Sequence, residues 1–256
     1  MSQTAVSIDI NSDLGESLGA WTMGADAELF PLISSANVAC GFHAGDPRVM
    51  ERTVNTLAEL GVAVGAHPGF PDLVGFGRRD MHLSPDELRT DVMYQIGALK
   101  AFCEAVGMPL HHVKPHGAMY NMAAKDETMA SAIAQGIIGA APEALVYAQD
   151  GSALATAADA AGLRVAYEVF ADRAYLADGR LAPRSRPDAM LHDPIEVSDR
   201  VIRMTRGETI PTVDGGPIVL RADTVCIHSD TPAAVAMAQA LRGALDAAGI
   251  AVRATE

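Results

Sequence analysis

Acidic, imidazole and ammonium side chains recur in this sequence directly after short apolar stretches that are typical of strands. The densest example is residues 110–121 (LHHVKPHGAMYN), where Pro115 and Gly117 end a predicted strand and leave Lys114 and His116 at its carboxyl end. Carboxylates could act as general bases, imidazoles could transfer protons and an ammonium could stabilise an oxyanion. The catalytic candidates are Asp13, Glu16, His43, His67, Lys114, His116 and Glu168.

Two chemistries fit this set, and the residues alone leave both open. One is metal-free acid–base catalysis in which Lys114 polarises a carbonyl group. The other is a metal-dependent hydrolase, because imidazole and carboxylate suit zinc or manganese. No predicted helix carries HxxxH or HxxEH, so the spacing does not decide between them. The candidate metal ligands are Asp13, His43, His67 and His116.

Each candidate also has a structural interpretation. His43 and His67 could cap neighbouring helix turns, and Glu16 could be a solvated carboxylate in a turn. Glu168 could pair with Arg164 or Arg173. Function is favoured because so many titratable groups follow strands, and the loops at that end of a barrel usually carry the site.

The loop 75–79 (GFGRR) offers backbone N–H groups and guanidinium groups suited to a carboxylate or phosphate. An equal alternative is that Arg78 and Arg79 pair with Asp72 or Asp80 and hold the loop. The predicted substrate-binding residues are Asn11, Arg78, Arg79 and His228. The sequence contains neither GxxxxGK[ST] nor GxGxxG after a strand, so neither a P-loop nor a dinucleotide site is predicted.

Composition limits the class of protein. With 256 residues, of which 49% are hydrophobic, the chain can bury the core of one large domain or two smaller ones. A net charge of −13 argues against nucleic acid or an anionic membrane as partner. Three widely spaced cysteines without CxxC predict no disulfide framework and favour the reducing cytoplasm. We expect no targeting or membrane-anchoring segment.

The elements that would position these residues alternate between strands and helices. Strands are predicted at 5–10, 35–39, 62–66, 110–114, 144–148, 164–169 and 224–227. Helices are predicted at 46–60, 84–106, 127–140, 152–162, 193–207 and 231–248, with small excursions at 175–183 and 209–219. Polar clusters follow six of the strands instead of meeting at one crevice, which favours a barrel over an open sheet. We predict a single α/β domain over residues 1–256, a distorted (β/α) TIM-like barrel with seven strands.

Segments spread along the chain resemble the LamB/YcsF family. They are residues 9–17, 35–47, 65–81, 94–99, 112–121, 168–175 and 223–230, and they include VKPHGA and GFGRR. Two positions depart from the family pattern: Ser12 where Cys is common, and Ser229 where Gly is common. The first departure argues against a required thiol at that position.

The resemblance implies a barrel of the glycoside hydrolase/deacetylase type that serves as one subunit of an ATP-dependent 5-oxoprolinase. Such an enzyme opens the lactam of 5-oxoproline to give L-glutamate, with two partner subunits of B and C types. ATP would lie mainly on the partners, since this chain lacks a P-loop, and the resemblance leaves open a divalent metal and homo-oligomerisation. Two alternatives stay open: a stand-alone metal-dependent deacetylase or amidohydrolase, and a non-catalytic subunit that delivers a ligand.

Overall fold

The computed structural model of the protein describes residues 6–227 and 233–256. The predicted substrate-binding residue His228, the Ser229 departure and the predicted helix start at Thr231 lie outside these residues. Within them, the elements in chain order are β1 (Ser7–Leu14), α1 (Asp26–Leu29), a 3-10 helix (Phe30–Leu32), β2 (Ser35–Ala39), α2 (Pro47–Leu60), β3 (Ala63–His67), α3 (Pro85–Ala105), β4 (His112–Val113), α4 (Gly117–Ala123), α5 (Glu127–Ala140), β5 (Leu145–Ala148), α6 (Ala153–Ala160), β6 (Val165–Phe170), α7 (Pro194–Thr205), β7 (Ile210–Pro211), β8 (Pro217–Ile218), β9 (Thr224–Cys226), α8 (Ala234–Ala247) and β10 (Ala251–Val252).

Parallel strands form a closed barrel. Strands β1 to β6 pair in sequence order, β9 pairs with β6, and β9 also pairs with β1, which closes a ring of seven. At the closure Asp9 lies opposite Thr224, and Asn11 lies opposite Cys226. Strand β10 adds to β1 beside the ring, and β7 and β8 form a separate antiparallel hairpin. The predicted seven-strand (β/α) barrel is confirmed.

The helices begin where the local sequence predicts. The side chain of Asp46 caps α2 by accepting hydrogen bonds from the N–H groups of Arg48 and Val49, and Gly61 ends the helix with φ 69°. Ser84 and Glu87 form the predicted capping box at the start of α3. Strands β2 and β5 are buried at every residue, as expected for parallel strands that are covered on both faces. Among the described residues, no helix is both long and apolar enough to cross a membrane.

Two strands differ from their predicted bounds by more than one residue at an end, and the other strands agree to within one residue. Strand β1 extends to Leu14, past the predicted end at residue 10, because the polar residues Asn11 and Asp13 continue the ladder opposite Ser35 and Asn37 of β2. Strand β4 shortens to His112–Val113, and the chain enters α4 soon after Pro115. The sequence did not predict α1, α4 or β10.

Polar side chains fill part of the barrel interior and bond to one another. The carboxylate of Asp9 accepts hydrogen bonds from Ser35 at 2.7 Å, from Tyr147 at 2.9 Å and from Thr224 at 2.5 Å. Burial, followed by the charge of Asp9, raises the pKa of the Tyr147 hydroxyl well above its usual value. The phenol therefore remains a hydrogen-bond donor. These hydrogen bonds explain why polar side chains are tolerated in a buried strand.

A glycine in β3 leaves room for an imidazole inside this barrel. A Cβ atom at Gly65 would lie 2.1 Å from Nε2 of His112. We expect Gly65→Ala to lower the free energy of unfolding by about 1–3 kcal/mol, the usual cost of overpacking, as measured by denaturant unfolding. Gly97→Ala is the matched control, because Gly97 lies in α3 with no atom within 4 Å of its added Cβ. The control should be neutral or stabilising, since alanine favours helix; equal losses in both variants would contradict the steric explanation.

Candidate active site

Side chains from separate strand ends lie together at the carboxyl end of the barrel. Asp13 lies near the end of β1, His67 ends β3, Lys114 follows β4, and Glu168 belongs to β6. Glu16 lies in the loop after β1, and His43 lies in the loop after β2. His116 is the N-cap residue of α4. The structure thus brings together all seven catalytic candidates predicted from the sequence. Their catalytic roles stay predictions.

The ammonium of Lys114 is the centre of this group. Its Nζ atom lies 2.8 Å from Oε1 of Glu168, 3.0 Å from Oδ1 of Asp13 and 3.2 Å from Oδ1 of Asn11. The residue is only 3% exposed. Burial alone lowers the pKa of this ammonium, but the charges of Asp13 and Glu168 outweigh burial and hold the pKa well above its usual value. Lys114 therefore stays charged between two carboxylates.

Two imidazoles beside this ammonium are fixed by backbone carbonyl groups. Nδ1 of His67 lies 2.7 Å from the carbonyl oxygen of Lys114, and Nε2 of His116 lies 2.8 Å from that of Phe76. A carbonyl oxygen only accepts, so each of these nitrogens carries a proton and donates it. Nε2 of His67 and Nδ1 of His116 face each other at 2.9 Å.

His43 completes the imidazole group. Its ring stacks on His116 with centroids 3.8 Å apart, and its Nε2 lies 3.5 Å from Oε1 of Glu16. Burial, followed by His116 and His67, lowers the pKa of His43 well below its usual value. Burial and then His67 lower the pKa of His116 to about 3. Both rings are therefore neutral near pH 7.

Two further glycines make room for these rings. A Cβ atom at Gly69 would lie 2.6 Å from Nδ1 of His43, and one at Gly77 would lie 2.8 Å from both His43 and His116. Gly77 also has φ +62°, a conformation that other residues rarely adopt. The glycine-rich loops after β3 thus shape the imidazole group.

A cavity of about 210 Å³ opens above the group. Asp13, His67, Lys114 and His116 line it on the barrel side. This volume is below the roughly 300 Å³ at which drug-sized ligand sites begin, so the cavity suits a small molecule. Three arginines also line it: Arg78, Arg173 and Arg184.

Comparisons with known proteins agree on one family. The model of the LamB/YcsF family matches residues 8–256. The chain belongs to the LamB/YcsF family. A relative from Heliobacterium modesticaldum, named as the A-type subunit of 5-oxoprolinase, is 52% identical over 96% of this chain and 97% of its own length. A relative of the same name from Thermus thermophilus is 52% identical, over 96% of this chain and 99% of its own length.

A solved structure agrees with the sequence relatives of this LamB/YcsF chain. It is the crystal structure of a protein described as "Lactam Utilization Protein" from Thermus thermophilus, with TM-score 0.93 and 52% identity. The match covers 97% of this chain and 99% of that one. The family and the barrel expected from the sequence motifs are therefore both shown.

The substrate-binding candidates occupy different positions in this LamB/YcsF barrel. Arg78 lines the cavity. Arg79 instead forms an ion pair with Asp72, whose pKa it lowers to about 2. Asn11 is fully buried and donates to Glu168 and Thr224 beneath the cavity. The binding roles of these residues stay predictions.

Four residues with contacts at the site were not among the sequence candidates. Tyr120 of α4 is buried and lines the cavity, and burial, followed by Glu168, raises the pKa of its hydroxyl. Sγ of Cys226 lies 3.1 Å from Nζ of Lys114, and burial raises its thiol pKa well above the usual value, so the thiol is neutral. Arg173 and Arg184 line the cavity from the segment after β6. Arg173 could have been found by applying the rule of polar residues after strands to the FADRAY segment.

Proposed function

We propose that this chain is the lactam-opening subunit of an ATP-dependent 5-oxoprolinase, which converts 5-oxoproline to L-glutamate. The observation that carries the proposal is Lys114, held between Asp13 and Glu168 beside a small cavity that is also lined by arginines. The names of relatives that are 52% identical support the substrate class.

The cavity suits a small anion. The whole chain carries a net charge of −13, yet three arginines, Arg78, Arg173 and Arg184, line this cavity. Arg173 is buried, its Nη2 donates to the Ala182 carbonyl at 2.6 Å, and its Nε has no hydrogen-bond partner among the described residues. An anionic substrate would satisfy this buried donor group, so we assign Arg173 to the carboxylate of 5-oxoproline.

Opening a lactam breaks its C–N bond, joins a water oxygen to the carbonyl carbon and delivers a proton to the nitrogen. We assign oxyanion stabilisation to the Lys114 ammonium, because it stays charged and lines the cavity. Asp13 also lines the cavity and has a side chain that is 15% exposed. It would take a proton from the attacking water and return it to the leaving nitrogen. Glu168 would hold Lys114 in position.

The proposed unit of function is one domain over residues 1–256, working with B-type and C-type partner subunits. ATP, used by the complex, would activate the lactam oxygen by phosphoryl transfer, which leaves ADP. A second water would then release the phosphoryl group as inorganic phosphate, so that one ATP and two waters are consumed for each glutamate formed. We assign ATP binding to the partners because this sequence has no P-loop. We also propose a cytoplasmic location, which the free, buried thiols of Cys40, Cys103 and Cys226 support.

The test is release of glutamate from 5-oxoproline plus ATP. We expect no useful rate of ATP or 5-oxoproline hydrolysis by the purified chain alone, and ATP-dependent glutamate release once the partners are added. Robust ATP-dependent glutamate release by this chain alone would contradict the assignment of ATP binding to the partner subunits. Amide hydrolysis by the chain alone with added zinc would support the metal-dependent deacetylase or amidohydrolase instead. A complex that releases no glutamate at all would reject the proposed substrate.

A further inference from the structure

One ring nitrogen of His67 and one of His116 face each other at the carboxyl end of the barrel. The other ring nitrogens donate to backbone carbonyl groups. Nδ1 of His67 donates to Lys114 at 2.7 Å, and Nε2 of His116 donates to Phe76 at 2.8 Å. When both rings are neutral, Nε2 of His67 and Nδ1 of His116 are both acceptors, and they lie 2.9 Å apart. Two lone pairs at this distance repel each other unless a cation lies against both.

Further electron-pair donors converge on the same point. Oε1 of Glu16 lies 3.8 Å from Nδ1 of His116 and 3.5 Å from Nε2 of His43. His43 is 1% exposed, and neither of its ring nitrogens has a hydrogen-bond partner among the described residues. One ligand atom from each of the four residues lies within 4.8 Å of the others. The four side chains are all buried.

We infer that Glu16, His43, His67 and His116 form a binding site for one divalent transition-metal ion, with zinc as the best fit. Zinc bonds of about 2.0–2.1 Å in a tetrahedron place neighbouring ligand atoms about 3.3 Å apart. The separations of 2.9, 3.5 and 3.8 Å between ligand atoms in the structure bracket that value. Three imidazoles and one carboxylate match zinc better than magnesium or calcium, which prefer oxygen ligands.

The surroundings of the site are those of a metal centre. The carbonyl groups that accept from His67 and His116 fix both ring orientations, as outer partners of metal-bound histidines do. The other carboxylate oxygen of Asp13, Oδ2, lies 3.4 Å from Nε2 of His67 and adds negative charge beside the ion. His67 and His116 also line the cavity, which provides a path of entry.

This ligand set differs from the one predicted from the sequence by one carboxylate. The three histidines are common to both sets, but Glu16 takes the place of Asp13. Oδ1 of Asp13 is held instead by Lys114 at 3.0 Å and by Asn37 at 2.8 Å. Gly15 lies between the end of β1 and Glu16 with φ +68°, a conformation that other residues rarely adopt.

The test begins with the metal content of protein purified without chelator, by elemental analysis. We expect one equivalent of bound ion, removable by chelation, and one equivalent of Zn²⁺ taken up by the stripped protein with a rise in melting temperature. Co²⁺ added to the stripped protein should give the intense visible bands of tetrahedral coordination. Absence of stoichiometric uptake of both ions would overturn the inference and leave a proton shared by His67 and His116.

Variants locate the ion. His43→Gln and Glu16→Gln should each weaken Zn²⁺ affinity by roughly 100-fold or more, at or above the loss seen when outer partners are removed. His82→Gln is the matched control, since His82 is exposed and is not one of the four ligands, and the Zn²⁺ affinity of this variant should not change. Unchanged affinity in both ligand variants would place the ion elsewhere. If the variants fail to fold, the Co²⁺ spectrum of the unaltered protein decides. Metal content is independent of glutamate release, so the two proposals can fail separately.

Discussion

Replacing Lys114 with methionine is expected to cut the turnover of the reconstituted complex by about 10²-fold or more. That is the usual loss when one preorganised oxyanion donor is removed from an active site. Methionine keeps much of the stem but lacks the charge that Lys114 brings to the cavity. The measurement is glutamate release per unit time at saturating 5-oxoproline and ATP.

The same substitution should also destabilise the fold. Lys114 lies 3.0 Å from Asp13 and 2.8 Å from Glu168, so its loss leaves two carboxylates facing each other without a cation. Removing one partner of a buried ion pair costs about 3–5 kcal/mol of unfolding free energy. Activity must therefore be measured below the melting transition of each variant, and the melting curve belongs beside every rate.

Glu168→Gln is the matched variant, because it removes one charge from the cluster and keeps the Lys114 ammonium. It leaves Lys114 paired with Asp13, so the cluster keeps one cation and one carboxylate. We expect it to lose less unfolding free energy than Lys114→Met, measured by denaturant titration. Near-normal turnover in folded Lys114→Met would remove Lys114 from the mechanism and assign it a structural role. A larger stability loss in Glu168→Gln would contradict the charge argument.

The second large effect is expected from Arg173→Met. Truncating one partner of a buried, hydrogen-bonded charge pair costs about 2–5 kcal/mol, so kcat/KM for 5-oxoproline should fall by about 10²-fold. Arg173 would hold the substrate carboxylate equally in the ground and transition states, so the loss should appear mainly as a raised KM. Steady-state kinetics of the reconstituted complex measures this split.

Two controls test this assignment. The first uses 2-pyrrolidinone, the same lactam without the carboxylate: Arg173→Met should lose almost nothing further on it, because the group that Arg173 binds is already absent. The second is Arg200→Met, since Arg200 is also buried and donates to the Arg173 carbonyl at 2.6 Å but is not among the residues lining the cavity. An equal rise of KM in Arg200→Met, or an equal loss on 2-pyrrolidinone, would show a general disturbance of the loop.

The surroundings of Arg78, Arg79 and Glu168 could not be predicted from the sequence. The two arginines are adjacent, yet Arg78 lines the cavity and Arg79 binds Asp72. Glu168 could have paired with Arg164 or Arg173 by sequence, but its partner is Lys114. Side-chain direction in a loop depends on backbone turns such as the φ of 55° at Phe76, which residue type did not predict.

Local signals determined the order of the elements and the positions of the candidate residues. Apolar runs, helix caps and glycine stops act within a few residues, so they predicted seven strands, the starts of α2 and α3, and polar side chains at the strand ends. Motifs such as VKPHGA and GFGRR indicated the family, and the match of the family model over residues 8–256 confirms it.

Only the tertiary structure decided which of those residues meet. Lys114 and Asp13 are 101 residues apart, and Asn11 and Glu168 are 157 apart, so their contacts depend on strand register and barrel closure. The same closure extended β1 through polar residues, put Glu16 with the three histidines, and placed Tyr120 and Arg173 at the cavity. Local periodicity carries no information about such distances, because they arise when seven strand ends pack around one axis.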